Sequence, residues 1–519
     1  MHRRDWPEPA GASLFIGQIY SNPPDWRAFL LESASDVPED IFTGGAGAAI
    51  FLPVDDRIMA VCFGHVHLAL NDDAFERQFG LKVTLNSVPR SGLRTLDLAT
   101  PDAVTFQKRV QASRDSDLDQ FGVDVLRDLA RVAGGTPSSA GFARFAAGKD
   151  TLSLTVEVNA SDLHAKCKQV LDAYNGQKYK SEFAWVDNMR PVVEKDIIEA
   201  LDAEILQAIS DLRDGQESDL HMAPPELVDY TEGSQLHYNG FGSHGTDFFS
   251  LSIEDYIAEL NRCNFDGTIA DIRDKHRIKS KKEGETEFNE KWRVFDCFVF
   301  ETSLMLNGND THYVLFGGDW YQVKKEFKDR IEAFFAQMPR VSIIGATNCR
   351  NEEELIADIH ETRSDLLKLD KEKINPGGVK FANLEPCDFL SDAGDFIHLK
   401  DGHSSGSISH LWLQGVVGAE AFISDKEFRK KLRRRVKKLG GGFERLMPKS
   451  TEVPKREDFR VVFGIMRKPY RDGTLGIPFF SKVSLQAAYE RINLFGIPVA
   501  LELIEKPSSD KSAVEGLAA

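Results

Sequence analysis

Three residues in the C-terminal part of the chain have the types and spacing to do chemistry: Asp388, His398 and Lys400. They lie in the run 384–400, LEPCDFLSDAGDFIHLK, which reads as two antiparallel strands. The linker Asp392-Ala393-Gly394 suits a three-residue hairpin loop, with glycine where positive φ is needed. That loop pairs Ser391 with Asp395, and counting back along the ladder sets Asp388 opposite His398. Opposed residues share a face, with Cβ atoms about 4.5–5.5 Å apart. Lys400, two residues past His398, falls on the same face. A two-residue loop would put Asp388 on the other face and remove the cluster. Such a cluster suits phosphodiester hydrolysis. Asp388 and His398 would hold Mg2+ (or Mn2+), and the ion would polarise a phosphoryl oxygen and lower the pKa of bound water. Lys400 would orient that water or stabilise charge developing on the phosphate. Histidine is a poorer Mg2+ ligand than a carboxylate, so His398 weakens the metal site.

Other elements must position this hairpin. Glu352 to Leu369 reads as a helix, with Leu355, Ile356, Ile359 and Leu366 as its apolar stripe. At about 100° per residue Glu352 falls on the inward face and Glu361 on the far side. Glu352 thus faces the hairpin; the alternative is a solvated first turn that complements the helix dipole. After Lys400, Ser407 or Ser409 would cap a helix carrying Leu411, Trp412 and Gln414.

The basic run 426–438, KEFRKKLRRRVKK, follows. It holds nine basic residues and one acid, so it carries +8, and the rest of the chain carries −25 against a total of −17. Lys430, Lys431, Arg433, Arg434, Arg435 and Lys437 are candidate phosphate contacts. The competing reading is a solvated helix whose apolar stripe is Phe428, Leu432, Val436 and Leu439.

With 519 residues, 42% hydrophobic and 28% charged, the chain reads as a multi-domain mixed α/β protein. The N-terminal MHRRDWPEPAGASLFIG lacks the apolar core of a secretory signal, and no run approaches the length of a membrane span. The six cysteines form no CxxC pair, which disfavours a zinc ribbon or disulfide scaffold and fits the cytoplasm. Neither Gly45–Gly47 nor Gly317-Gly318 has a phosphate-cradling frame, and His65, His67, His221, His237 and His244 do not sit at zinc-ligand spacing with cysteines or acids.

The expected layout is an N-terminal α/β domain over 1–150, a middle α/β domain over 151–338, a C-terminal α/β core over 339–506 and a disordered tail over 507–519. Within it, Ala48–Pro53 and Ile58–Phe63 form a hairpin around Asp55-Asp56, Asp72-Asp73 open a short helix, and Leu81–Leu85 is a strand. Leu152 to Val158 is a half-buried strand, and Ser161 caps a helix reaching Tyr174. Ile197–Leu212 is helical, 224–245 is a loop region, and 274–287 is charged and exposed. Strands at Val294–Phe300 and His312–Phe316 flank a turn at Asn307-Gly308-Asn309. Phe327 to Phe335 is a helical core stripe, and Gly440–Gly442 is a flexible break.

Asp388, His398 and Lys400 resemble the Asp–x(n)–(Asp/Glu)–x–Lys core of the restriction-endonuclease-like superfamily, above all its Mrr-type members, with His398 where an acid or glutamine is usual. The resemblance implies an acid from the preceding helix, here Glu352, and a polar residue on the helix after the lysine strand, here Gln414. His398–Lys400 is also similar to the HxK of phospholipase-D-type nucleases, but Ser405 stands where those need aspartate.

Several phrases resemble an uncharacterised bacterial family described as sporadically distributed. They include FGHVHLALNDDAFERQFGLKVTLNSV at 63–88, FAWVDNMRP at 183–191, FGGDWYQV at 316–323 and CDFLSDAGDFIHLKDGHSSGSISHLWLQG at 387–415. Patchy occurrence implies a role in defence against phage or foreign DNA. The expectation is therefore a Mg2+-dependent nuclease acting on DNA or RNA, with no membrane partner and with homo-oligomerisation left open. The alternative is a catalytically inactive defence component that binds nucleic acid or a protein partner.

Overall fold

The computed structural model describes residues 2–507, except 7–8, 23–25, 32–37, 39–41, 72–73, 102–104, 114–120, 122, 124–127, 229–233, 243–245, 283–286, 307, 378–383, 403–404, 450–451 and 471–472. The chain is mixed α/β and divides into two compact units. The first comprises 1–98, 109–123 and 130–185; the second comprises 99–108, 124–129 and 186–519.

In the first unit, Thr43–Val54 and Arg57–Phe63 pair antiparallel in one four-stranded sheet. They turn at Asp55, whose φ is +53°, so the expected hairpin is present. Ile50, Leu52 and Val54 pack on Cys167 and Leu171 of the helix Leu163–Asn175. That helix follows a 3-10 turn at Ala160–Asp162, so Ser161 lies inside the turn and is not the cap. The expected opening at Asp72-Asp73 lies outside the described residues.

Leu81–Leu85 is not a strand but part of the helix Phe79–Ser87. Its apolar residues Leu81, Val83 and Leu85 alternate because the helix is enclosed on most sides, not because they line a pleat. Gly80 permits that enclosure: a Cβ there would sit 2.0 Å from the Thr151 carbonyl oxygen.

In the second unit, five strands form an antiparallel sheet in the spatial order Met189–Pro191, Asp319–Val323, Asn309–Phe316, Phe298–Leu306, His221–Met222. The long helix Lys195–Arg213 contributes Leu201, Ile205 and Ile209 to its core, and Lys325–Gln337 is the expected aromatic helix. Two expectations fail beside this sheet. Within the loop region 224–245, Ser234–Asn239 is a strand, and within the charged stretch 274–287, Arg277–Lys282 is the middle strand of a three-stranded sheet. Leu236, Tyr238, Ile278 and Trp292 are buried in it, and polar neighbours on the open face hide the alternation.

The candidate chemistry sits on the last sheet. Its strands are β1 (Leu366–Lys368), β2 (Phe389–Ser391), β3 (Asp395–Asp401), β4 (Arg460–Arg467) and β5 (Val499–Glu505), side by side in that order. The β1–β2 and β2–β3 pairings are antiparallel, whereas β3–β4 and β4–β5 are parallel. Four helices accompany the sheet: α1 (Glu352–Thr362), α2 (Ser405–Ser424), α3 (Lys426–Leu439) and α4 (Phe479–Leu494). One face packs Leu390, Phe396, Val461, Phe463 and Ile465 in a core shared with α2, α3 and α4. The other packs Phe389, Ile397, Leu399, Val462 and Met466 with Leu355, Ile356 and Ile359 of α1. Both faces are buried, so these strands read as near-continuous apolar runs.

The helix expected over 352–369 stops at Thr362, and Leu366 begins strand β1. Gly440 caps α3 with φ +89°, and Gly441 and Gly442 also take positive φ, so the three glycines make a turn of defined geometry. Positions 508–519 of the expected tail lie outside the described residues.

Candidate active site

The β2–β3 hairpin has the register read from the sequence. Phe389 pairs with Ile397 and Leu390 with Phe396, and Gly394 takes φ +94°. The Ser391 hydroxyl donates to the Asp395 carboxylate at 2.9 Å and accepts the Asp395 backbone N–H at 2.9 Å, which closes the loop.

The chain leaves the ladder at Asp388. Its carbonyl accepts the N–H groups of Leu369 (2.7 Å) and Asp370 (3.0 Å), just beyond β1. Its carboxylate accepts the Leu399 N–H at 2.6 Å, in the place of a ladder carbonyl. Burial raises the Asp388 carboxyl to about 7, reinforced by the negative charges of Glu352, Asp370 and Glu385, while the Leu399 N–H opposes the shift.

Glu352 opens α1, whose N-cap is Asn351: its side chain accepts the Glu354 N–H at 2.9 Å. Glu352 turns inward as its helical position dictates. Its carboxylate lies 2.9 Å from the Lys400 ammonium and accepts the Asp401 N–H at 3.4 Å. Glu361 is exposed, as expected. The structure thus brings Asp388, Glu352 and Lys400 to one end of the sheet.

His398 does not join them. It is 2% exposed, and its ring centroid lies 5.9 Å from that of Phe463, which in turn meets Trp412 of α2 edge-on at 4.8 Å. Burial lowers the imidazole to about 4, so it is neutral near pH 7. Opposition across the ladder placed His398 and Asp388 on one face, but the face at His398 is sealed by α2, and Asp388 sits just outside β2, its N–H donating to the Ile397 carbonyl at 2.9 Å and its carboxylate turned to the Leu399 N–H. Gln414 lies half-buried on the flank of α2, off the Leu411–Trp412–Gly415 side that meets the sheet. Ser407 and Ser409 fall within α2, which begins at Ser405.

Four of the nine basic residues of this helix are engaged internally. Arg429, 4% exposed, donates to the Phe422 and Ile423 carbonyls at the end of α2, each at 2.8 Å. Lys431 donates to the Asn375 carbonyl at 2.7 Å, Arg433 to the Glu444 and Met447 carbonyls, and Arg435 pairs with Glu372. Lys430 is half-buried beside Glu427 at 3.4 Å, and Arg434 and Lys437 are exposed. These last three recur at helical spacing along one stripe.

Two acids in the field of Asp388 escape the sequence reading, Asp370 and Glu385. Carrying the α1 helix on to Leu369 hides Asp370, because only the strand break after Thr362 delivers it to Asp388. Asp401 was legible as the residue after Lys400, and its partner Lys506, 2.9 Å away, was not.

Among the described residues, no three His, Cys, Asp or Glu side chains gather closely enough to hold a metal ion. Mg2+ needs only one or two carboxylates, with water and substrate phosphate completing its shell. Asp388 and Glu352 are the carboxylates that would meet that smaller requirement, the negative charge of Glu352 adding to the rise at Asp388; sealed, neutral His398 would not. Among the described residues no helix is long and apolar enough to cross a membrane.

No curated protein and no solved structure matches the chain. The resemblance to an uncharacterised family is upheld over nearly the whole length: a family model matches residues 2–505, and the chain belongs to that family of unknown function, DUF6119.

Proposed function

We propose that the end of the C-terminal sheet carries a phosphodiesterase site, a Mg2+-dependent nuclease centre built from Asp388, Glu352 and Lys400. The observation that carries this reading is the approach of the Lys400 ammonium to Glu352 at 2.9 Å within the field of Asp388. The helix before the hairpin supplies the acid that a restriction-endonuclease-like site would need, and a helix follows the lysine strand. Asp388 and Glu352 would hold the cation, which when bound would polarise a phosphoryl oxygen. Lys400, released from Glu352, would donate to the phosphate or to the attacking water. Asp388, at about 7, has a proton to give up as a cation arrives. His398 is a core residue of this site, not a ligand. A role in defence against foreign nucleic acid rests on the family resemblance.

A second reading, an inactive component that binds nucleic acid, is favoured by the burial of His398 and by the stripe Lys430, Arg434 and Lys437. Plasmid DNA and a structured RNA incubated with Mg2+ or Mn2+ separate the two. Cleavage by the wild type that Lys400→Ala loses supports the nuclease. Binding of both nucleic acids without cleavage of either supports the second reading.

A further inference from the structure

Strands β3, β4 and β5 run parallel and end at one edge, the position where open α/β sheets receive ligands. Three cations stand there. Arg467 ends β4, Lys468 follows it, and Lys506 follows β5. Arg467 and Lys506 are 5% and 6% exposed. Carboxylates from one distant segment meet all three. Asp219 accepts from the Arg467 guanidinium at 3.0 and 3.2 Å. Glu217 accepts from Lys506 at 3.0 Å and lies 3.8 Å from Lys468.

Arg467 is incompletely satisfied. Asp219 engages Nη2 alone, and among the described residues the buried Nε and Nη1 have no hydrogen-bond partner. Its guanidinium carbon lies 5.0 Å from the Tyr470 ring centroid. Buried unpaired donors are costly, and they are tolerated where another group is due to fill them. Nη2 is shared by both forked edges of a guanidinium, so withdrawal of Asp219 would open both edges to a phosphate.

The cluster connects to the site above. Lys506 donates to Asp401 at 2.9 and 3.0 Å, and the Asp401 N–H reaches Glu352, the partner of Lys400. Gly402 lies against Arg467: a Cβ there would sit 2.8 Å from the arginine Cγ.

We infer that Arg467, Lys468 and Lys506 form a subsite for the phosphate backbone of a nucleic acid, and that the acidic segment Glu217–Asp219 fills it in this structure. This rests on the nuclease reading and adds to it a means of holding the site closed. The carboxylates stand in for phosphate oxygens, and a polyanion must displace them.

The full-length protein, its Glu217→Gln/Asp219→Asn variant and that variant with Arg467→Gln should be titrated with fluorescein-labelled duplex DNA and single-stranded RNA in EDTA, over a salt series. The double variant should bind at least about tenfold tighter at low salt, with a log–log salt slope steeper by about one to three units. Adding Arg467→Gln should reverse most of the gain. Should the acidic variants fail to fold, hydrogen exchange in the wild type decides: saturating duplex should speed exchange of amides 214–222. Wild-type binding or cleavage with no gain in the double variant, or unchanged exchange at 214–222, overturns the subsite alone. No binding or cleavage of either nucleic acid by any form overturns the nuclease reading as well.

Discussion

Helices α1 and α3 each crowd one sign of charge into a short stretch, and they use it in different ways. The first turn of α1 holds Glu352, Glu353 and Glu354. Glu354 helps close the helix start by accepting the Arg350 N–H at 2.8 Å, and only Glu352 turns toward Lys400. Helix α3 holds nine basic residues, yet Arg429, Lys431, Arg433 and Arg435 are engaged by carbonyls and Glu372. Charge density therefore marks neither a site nor a surface. What decides is which acceptors the neighbouring elements leave unmet.

The largest effect expected from this contrast is at Lys400. Lys400→Ala should lower cleavage by about 10²–10³-fold with folding intact, the size of removing one positioned charge from a transition state. Undiminished cleavage would break the assignment of α1 and β3 as the working region.

Next comes Arg429→Ala. It should destabilise the protein by about 3 kcal/mol in urea unfolding, since it deletes two charge-assisted hydrogen bonds and buried packing. Arg434→Ala should change stability by less than about 0.5 kcal/mol. Equal losses would mean that the inward and outward cations of α3 are not distinct.

The pH dependence of stability sharpens the comparison within the hairpin itself. Asp388 is raised from 3.8 to about 7, so its contribution is full below about 4 and is lost as pH rises through about 7. His398 is lowered from 6.5 to about 4, so its contribution is full above 6.5 and is lost as pH falls through about 4. The two oppose each other in the wild type. Asp388→Asn should leave a melting temperature that climbs from pH 4 to 6.5, and His398→Leu one that declines from pH 4 to 7. Parallel profiles in the two variants would contradict the opposed burial of these groups.

The smallest effect is at the outer stripe. Replacing Lys430, Arg434 and Lys437 by alanine should reduce the log–log salt slope of duplex binding by about two to three units. An unchanged slope leaves α3 as a solvated structural helix.

Local chemistry made much of the last sheet legible. The hairpin register followed from a three-residue loop with glycine at positive φ, and the inward turn of Glu352 followed from helical period. The Leu81–Leu85 helix, the Ser234–Asn239 strand and the Leu366–Lys368 strand were not legible. In each, burial set by distant elements overrode the local periodicity.

Loop geometry and residue spacing alone thus determined that Asp388 and Lys400 belong to one hairpin and that Glu352 faces it. Only the tertiary structure decided that α2 seals His398, that Asp388 falls just outside β2 beside Asp370, and that four of the nine cations of α3 turn inward. The physical reason is that covalent neighbours fix which way a side chain points. Whether water, carbonyl or carboxylate waits there depends on elements tens to hundreds of residues away, as Asp219 does for Arg467.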